Sequence, residues 1–225
     1  MQIYNNIAAG LQWNPPLQSY IYAGFLPHCM DRQQQITIDK SSPHETPPIG
    51  GQSAPVETQT FTLEGQSFEA GKITVVQGAT VCLDLSVQMQ SVSRILFIDA
   101  GNVFNPYYIH RNFREIADVK QALENISVSR PFTIYQLRQV VEFEAEKQLQ
   151  NGCRVLIIPC IDDLFYEDGL QIWEAREVFS QTMKSLDALA KKHNIFCLIS
   201  FVGKYFRKMH EESTGVLVPN EAARL

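Results

Sequence analysis

RILFIDAGNVFNPYYI, Arg94–Ile109, is the stretch whose reading decides the fold. An apolar strand runs to Ile98-Asp99, a turn of small residues follows, and Phe104-Asn105-Pro106 opens the next element. An unbroken apolar run of this length suits a strand covered on both faces, as in a parallel sheet flanked by helices. Further strands lie on either side: the short β-branched Lys72–Gln77 (KITVVQ), Asn125–Ser129, the unbroken apolar Arg154–Ile158, and Ile195–Phe201. Helical patterns separate them. Thr80–Gln90 has Val81, Leu85 and Gln88 at helical spacing, and a helix is expected near Tyr107–Val119. Thr133 and Gln136 form a T-x-x-Q capping box, and Leu137, Val140, Val141, Ala145 and Leu149 then share one face up to Gly152. A last helix over Gln171–His193 carries Ile172, Ala175, Phe179, Met183, Leu186 and Ala190 on one stripe. Strands alternating with helices predict an α/β fold, a mostly parallel sheet with helices on both faces.

At 225 residues the chain holds one sizeable domain. A net charge of −5 argues against a surface coated in positive potential, though not against a local basic patch. The five cysteines (Cys29, Cys82, Cys153, Cys160, Cys197) form no C-x-x-C or Cys/His cluster, so no metal site is expected. Cys82, Cys160 and Cys197 lie in apolar runs and read as buried reduced thiols of an intracellular protein, cytoplasmic or nuclear. No signal peptide and no membrane span is expected.

Residues 1–60 read as an N-terminal segment and linker, and residues 61–225 as the core domain. The linker, Asp39–Gln59, is rich in Pro, Ser, Thr, Gln and Gly. Before it, Trp13, Tyr20, Tyr22 and Phe25 sit in an apolar cluster suited to docking, either on the chain's own core or on a partner.

Five collinear stretches resemble the RecA/RadA-like recombinase ATPases. Leu63–Gly78 is similar to the entry to the family's first strand and phosphate loop, and Arg94–Ile109 to its second strand and following helix. Glu124–Glu142 resembles the third strand and its helix, Arg154–Asp168 the Walker B strand, and Leu186–Phe201 the helix and strand of the sensor position. The resemblance spans about residues 63–207 and implies a RecA-like sheet shortened at its C-terminal end.

The resemblance also shows what is missing. A phosphate loop requires G-x-x-x-x-G-K-[ST], whose backbone N–H groups and lysine hold the phosphates. Here Gly78 runs directly into Ala79-Thr80-Val81, with Thr80 either a relic of the magnesium hydroxyl or the N-cap of its helix. The family's catalytic glutamate falls at Ala100-Gly101, neither of which takes a proton, and Asp99 reads as a turn or capping residue. The Walker B aspartate falls at Pro159; Asp162 and Asp163 are either substitutes or capping and solvent-facing residues. Lacking lysine, base and metal ligand, the chain is expected to be a pseudo-ATPase with no catalytic residues, cofactor or metal. Ser200 sits in no nucleophile elbow, and His28, His44, His110, His193 and His210 share no ligand spacing. Asp162-Asp163 with Glu167-Asp168 reads as a solvated acidic loop.

In the resembled family the loops after the fourth and fifth strands touch DNA. Here Lys204, Arg207 and Lys208 interleave with Tyr205 and Phe206, a mix of phosphate neutralisers and stacking faces suited to DNA. The competing reading is a helix end whose lysines complement its dipole and whose aromatics pack inward. The expected function is a structural or mediator subunit in homologous recombination and DNA repair. Its partners would be recombinase or paralogue subunits, with single- or double-stranded DNA as a further candidate. Two alternatives stand beside it: an ATP-binding enzyme whose site is completed in trans or by a non-standard loop, and a RecA-like regulatory scaffold unrelated to DNA.

Overall fold

The computed structural model describes residues 60–63 and 66–215. β1 (Thr60–Leu63) and β2 (Gln66–Glu69) pair as an antiparallel hairpin. The main sheet has five strands: β3 (Ile73–Val75), β4 (Arg94–Ile98), β5 (Ile126–Ser129), β6 (Cys153–Ile158) and β7 (Phe196–Ile199). They lie in the order β3-β7-β6-β4-β5, and every pairing is parallel. The five expected strands are therefore all present.

This order explains where the helices go. The chain steps in one direction from β3 to β4 and β5, through α1 (Gly78–Met89), α2 (Pro106–Arg111) and α3 (Ile116–Glu124). It then returns through β6 to β7, by way of α4 (Ile134–Gln139), α5 (Ala145–Gln150) and α6 (Ile172–His193). Right-handed crossovers place helices on opposite faces when the direction reverses. The side chains sort accordingly. Ile95, Phe97, Val155, Ile157, Phe196 and Leu198 pack under α1, α2, α3 and the hairpin. Their neighbours Leu96, Ile98, Leu156, Ile158, Cys197 and Ile199 pack under α4, α5 and α6. Both faces are buried, which is why the strands read as continuous apolar runs.

Several local expectations change. The helix expected near Tyr107–Val119 is two helices, α2 and α3. Asn112 caps the first, its amide donating to the Tyr108 carbonyl at 2.8 Å, and Phe113 turns inward against the core. Thr80 is not an N-cap: α1 starts at Gly78, with Gln77 in the cap position, so Thr80 lies inside the helix and exposed. Thr133 does cap α4, accepting from the Gln136 N–H at 3.2 Å, but the Gln136 side chain reaches the Phe132 N–H at 2.8 Å. Between α4 and α5 the helix widens into a π turn, Val140–Glu144. Val140, Val141 and Ala145 are buried through this turn and Phe143 faces solvent. Ile172, expected on the buried stripe of α6, is the first residue of that helix and is exposed; Val178 and Leu189 are buried in the stripe instead.

Cys82, Cys153, Cys160 and Cys197 are buried free thiols. No helix among the described residues is long and apolar enough to cross a membrane.

Candidate functional site

In a parallel sheet the loops leaving the carboxyl ends of the strands converge on one edge, where open α/β folds bind ligands. Here β3 reaches α1 through Val76 and Gln77 alone. Gly78, at φ 75°, makes the turn, and the Val76 N–H is taken by the Ile199 carbonyl at 2.8 Å. The first turn of α1 has no side-chain cap.

At the end of β4, Asp99 is fully buried. One carboxylate oxygen accepts from the N–H groups of Val103 (2.7 Å) and Phe104 (3.2 Å) and so shapes the turn. The other oxygen faces Arg130, at the end of β5, which donates Nε at 2.9 Å and Nη2 at 2.7 Å. That two-pronged pair ties adjacent strand ends together. The turn reading of Asp99 therefore fits its contacts; Arg130 was not foreseen, and the only sequence hint was a charge directly after a strand. Asn102 closes the turn at φ 51°.

Gly101 shows how tightly this edge is packed. A Cβ there would lie 2.5 Å from the Cβ of Cys160 and 3.1 Å from its sulfur. Cys160 follows Pro159 at the end of β6 and holds φ 51°, costly for a residue with a side chain. Its N–H donates to Ser200 Oγ at 2.9 Å, and Ile161 N–H to the Ser200 carbonyl at 2.9 Å. Cys82, in α1, also contacts Ser200. Burial pushes the thiols of Cys82 up to about 12 and Cys160 up to about 11, so neither is a ready nucleophile.

Asp162 was grouped with a solvated acidic loop, and the structure corrects this: it is fully buried. It accepts from Val202 N–H at 2.7 Å, Gly203 N–H at 2.9 Å and Tyr166 Oη at 3.1 Å. It thereby caps α7 (Lys204–Thr214) from a neighbouring loop. Burial raises its pKa, and those hydrogen bonds pull it back. Asp163, by contrast, is exposed. The hydroxyl end of Tyr166 lies against Gly203, where any Cβ would collide with it. Its pKa is pushed up to about 12 by burial and the Asp162 charge.

The five DNA-binding candidates sit on α7, which is a helix and not a loop. Lys204, Tyr205 and Lys208 are exposed and Arg207 is half-buried. Phe206 is corrected outright: it is 0% exposed, packed among Phe165, Phe179 and Tyr166, and offers no stacking face. The competing helix-end reading is also corrected. Lys204 opens the helix, where a positive charge opposes the dipole, Lys208 lies one turn further on, and the last turn has no basic residue. An inward-packing aromatic holds for Phe206 and not for Tyr205. The partner-binding candidates Trp13, Tyr20, Tyr22 and Phe25 lie outside the described residues.

No curated protein matches the chain. The Rad51 family model matches residues 32–203, beginning ahead of the Asp39–Gln59 stretch expected to be a linker and covering the whole five-stranded sheet. With that span, a parallel sheet in the order β3-β7-β6-β4-β5 and helices on both faces, the chain belongs to the Rad51 family of RecA-like recombinases.

Proposed function

We propose that this chain is a member of the family that does not turn over ATP and serves as a structural or mediator subunit in recombination and repair. The observation that carries the reading is the passage from β3 to α1. Val76 and Gln77 alone join them, leaving no span of backbone N–H groups to wrap a triphosphate and no lysine to neutralise it. Two strand ends support it. Ala100-Gly101 stands where the resemblance puts the general base, and at Gly101 the Cys160 side chain occupies the space a larger residue would need. Pro159 stands where a magnesium-holding carboxylate is expected, and the buried Asp162 three residues on spends its oxygens on the start of α7 and Tyr166. Transition-state charge on a transferring phosphoryl group then has no stabiliser.

Such a subunit acts through contacts with other recombinase-family subunits. The exposed Lys204 and Lys208, with Arg207 and Tyr205, offer a small DNA-facing patch on the first turns of α7. The test is phosphate release from ATP by the purified chain, with and without DNA and a family partner. The account expects no hydrolysis from the chain alone and a change in DNA binding or assembly of the partner. DNA-stimulated turnover by the chain alone would overturn it.

A further inference from the structure

We propose that the first turns of α4 and α6 form a docking face for a partner-protein segment that alternates basic and aliphatic side chains. Tyr135 (52% exposed) stands on α4, and Ile172 (56%) and Trp173 (68%) open α6. The Tyr135 hydroxyl donates to Glu174 across the seam between the helices, and Arg138 Nη1 donates to Gln181 Oε1 at 2.7 Å. The seam is therefore bonded at two levels and presents one preformed surface. An exposed tryptophan beside an exposed tyrosine and isoleucine is the composition of an interface centre.

Charge selects the occupant. Glu174 accepts from the Tyr135 hydroxyl and Glu177 follows one turn after Trp173; Asp163, Glu167 and Asp168 precede them in the chain, and Arg176 is the one cation between Asp163 and Glu177. Arg138, on the α4 side, is engaged by Glu142 at 3.2 Å. Carboxylates next to aromatic faces attract lysine and arginine heads, whose stems cover apolar surface. Nucleic acid would be repelled. The chain's own residues 1–59 are a poor fit, because Arg32 and Lys40 are outnumbered by Asp31, Asp39, Glu45 and Glu57. This proposal does not depend on ATP silence.

The probe is a short labelled peptide alternating lysine and leucine, titrated into the full chain by fluorescence anisotropy, with a glutamate–leucine peptide as control. The wild-type chain should bind the basic peptide in a salt-sensitive way and ignore the acidic one. Trp173→Ala, and separately Glu174→Gln with Glu177→Gln, should each weaken binding about tenfold, while Trp173→Phe retains most of it. Unchanged thermal melting of these surface variants separates a lost contact from a lost fold. Changing Lys204, Arg207 and Lys208 to alanine should leave peptide binding intact. Peptide affinity indifferent to Trp173→Ala would overturn the proposal. So would single-stranded DNA binding that this substitution abolishes, or self-association through this face without peptide binding.

Discussion

Gly101 and Asp162 hold the carboxyl edge of the sheet in different ways, one by having no side chain and the other by having a charged one. A methyl group at position 101 would meet the Cβ of Cys160, an atom fixed to the backbone and unable to swing away. Gly101→Ala is therefore expected to destabilise the fold by about 1–3 kcal/mol in urea denaturation, the usual cost of overpacking. Adding Cys160→Gly should recover most of that loss, because it removes the colliding atom and relieves a left-handed residue. A double variant no more stable than Gly101→Ala would show that the contact is not the cause. Asp162→Ala leaves the N–H groups of Val202 and Gly203 without acceptors and should cost about 3 kcal/mol. Amide exchange should quicken in Lys204–Thr214 before anywhere else; uniform quickening would contradict the capping role. The Gly101 contact was not legible in the sequence, and capping by Asp162 stood only as one alternative, with no sign that α7 was its target. A glycine at a strand end and one aspartate of an adjacent pair both look ordinary until tertiary packing brings Cys160 and Gly203 to them.

At the scale of elements, α7 carries the sharpest contrast, because adjacent aromatics have opposite fates. Phe206→Ala should cost about 3–5 kcal/mol of stability, since the ring fills the space between Phe165 and Phe179. Tyr205→Ala should melt near the wild-type temperature, and should weaken single-strand binding by about 1–3 kcal/mol if the ring stacks on a base. Alanine at Lys204, Arg207 and Lys208 should flatten the salt dependence of that binding. Wild-type protein with no salt-sensitive DNA binding, alone or in complex, would end the DNA reading of α7. The same helix contains His210, buried against Phe201, whose pKa is lowered from 6.5 by burial while Glu211 pulls the other way. Below 6.5 the unfolded chain takes up a proton that the folded one resists, so His210 makes stability fall as pH drops through that value. Asp162 works in the opposite sense lower down, because burial raises its pKa from 3.8 and the folded state binds its proton more tightly. Denaturation at about pH 7.5 and about pH 5.5 should show less stability at the lower value, with the difference reduced in His210→Asn. An undiminished difference would assign the effect elsewhere. The helices themselves were legible where periodicity was strong. The π turn at Val140–Glu144 was not, because an apolar stripe at Leu137, Val140, Val141, Ala145 and Leu149 reads equally well through a regular helix.

For the whole molecule, the apolar strand runs foretold a parallel sheet, and the structure has all five strands in one sheet covered on both faces. Strand order is set by crossover handedness and packing between distant segments, and it reached the sequence only through resemblance to a family. What the sequence could state about chemistry was negative: no lysine after Gly78, no carboxylate at Ala100-Gly101, and proline at position 159. At the same edge the structure has a two-residue passage into α1, Gly101 packed on Cys160, and Asp162 bonded to the start of α7. The most direct test of catalytic silence is isothermal titration of the purified chain with ATP and magnesium. The account predicts no saturable heat. A dissociation constant at or below about 10 μM, roughly −7 kcal/mol of binding free energy, would contradict it.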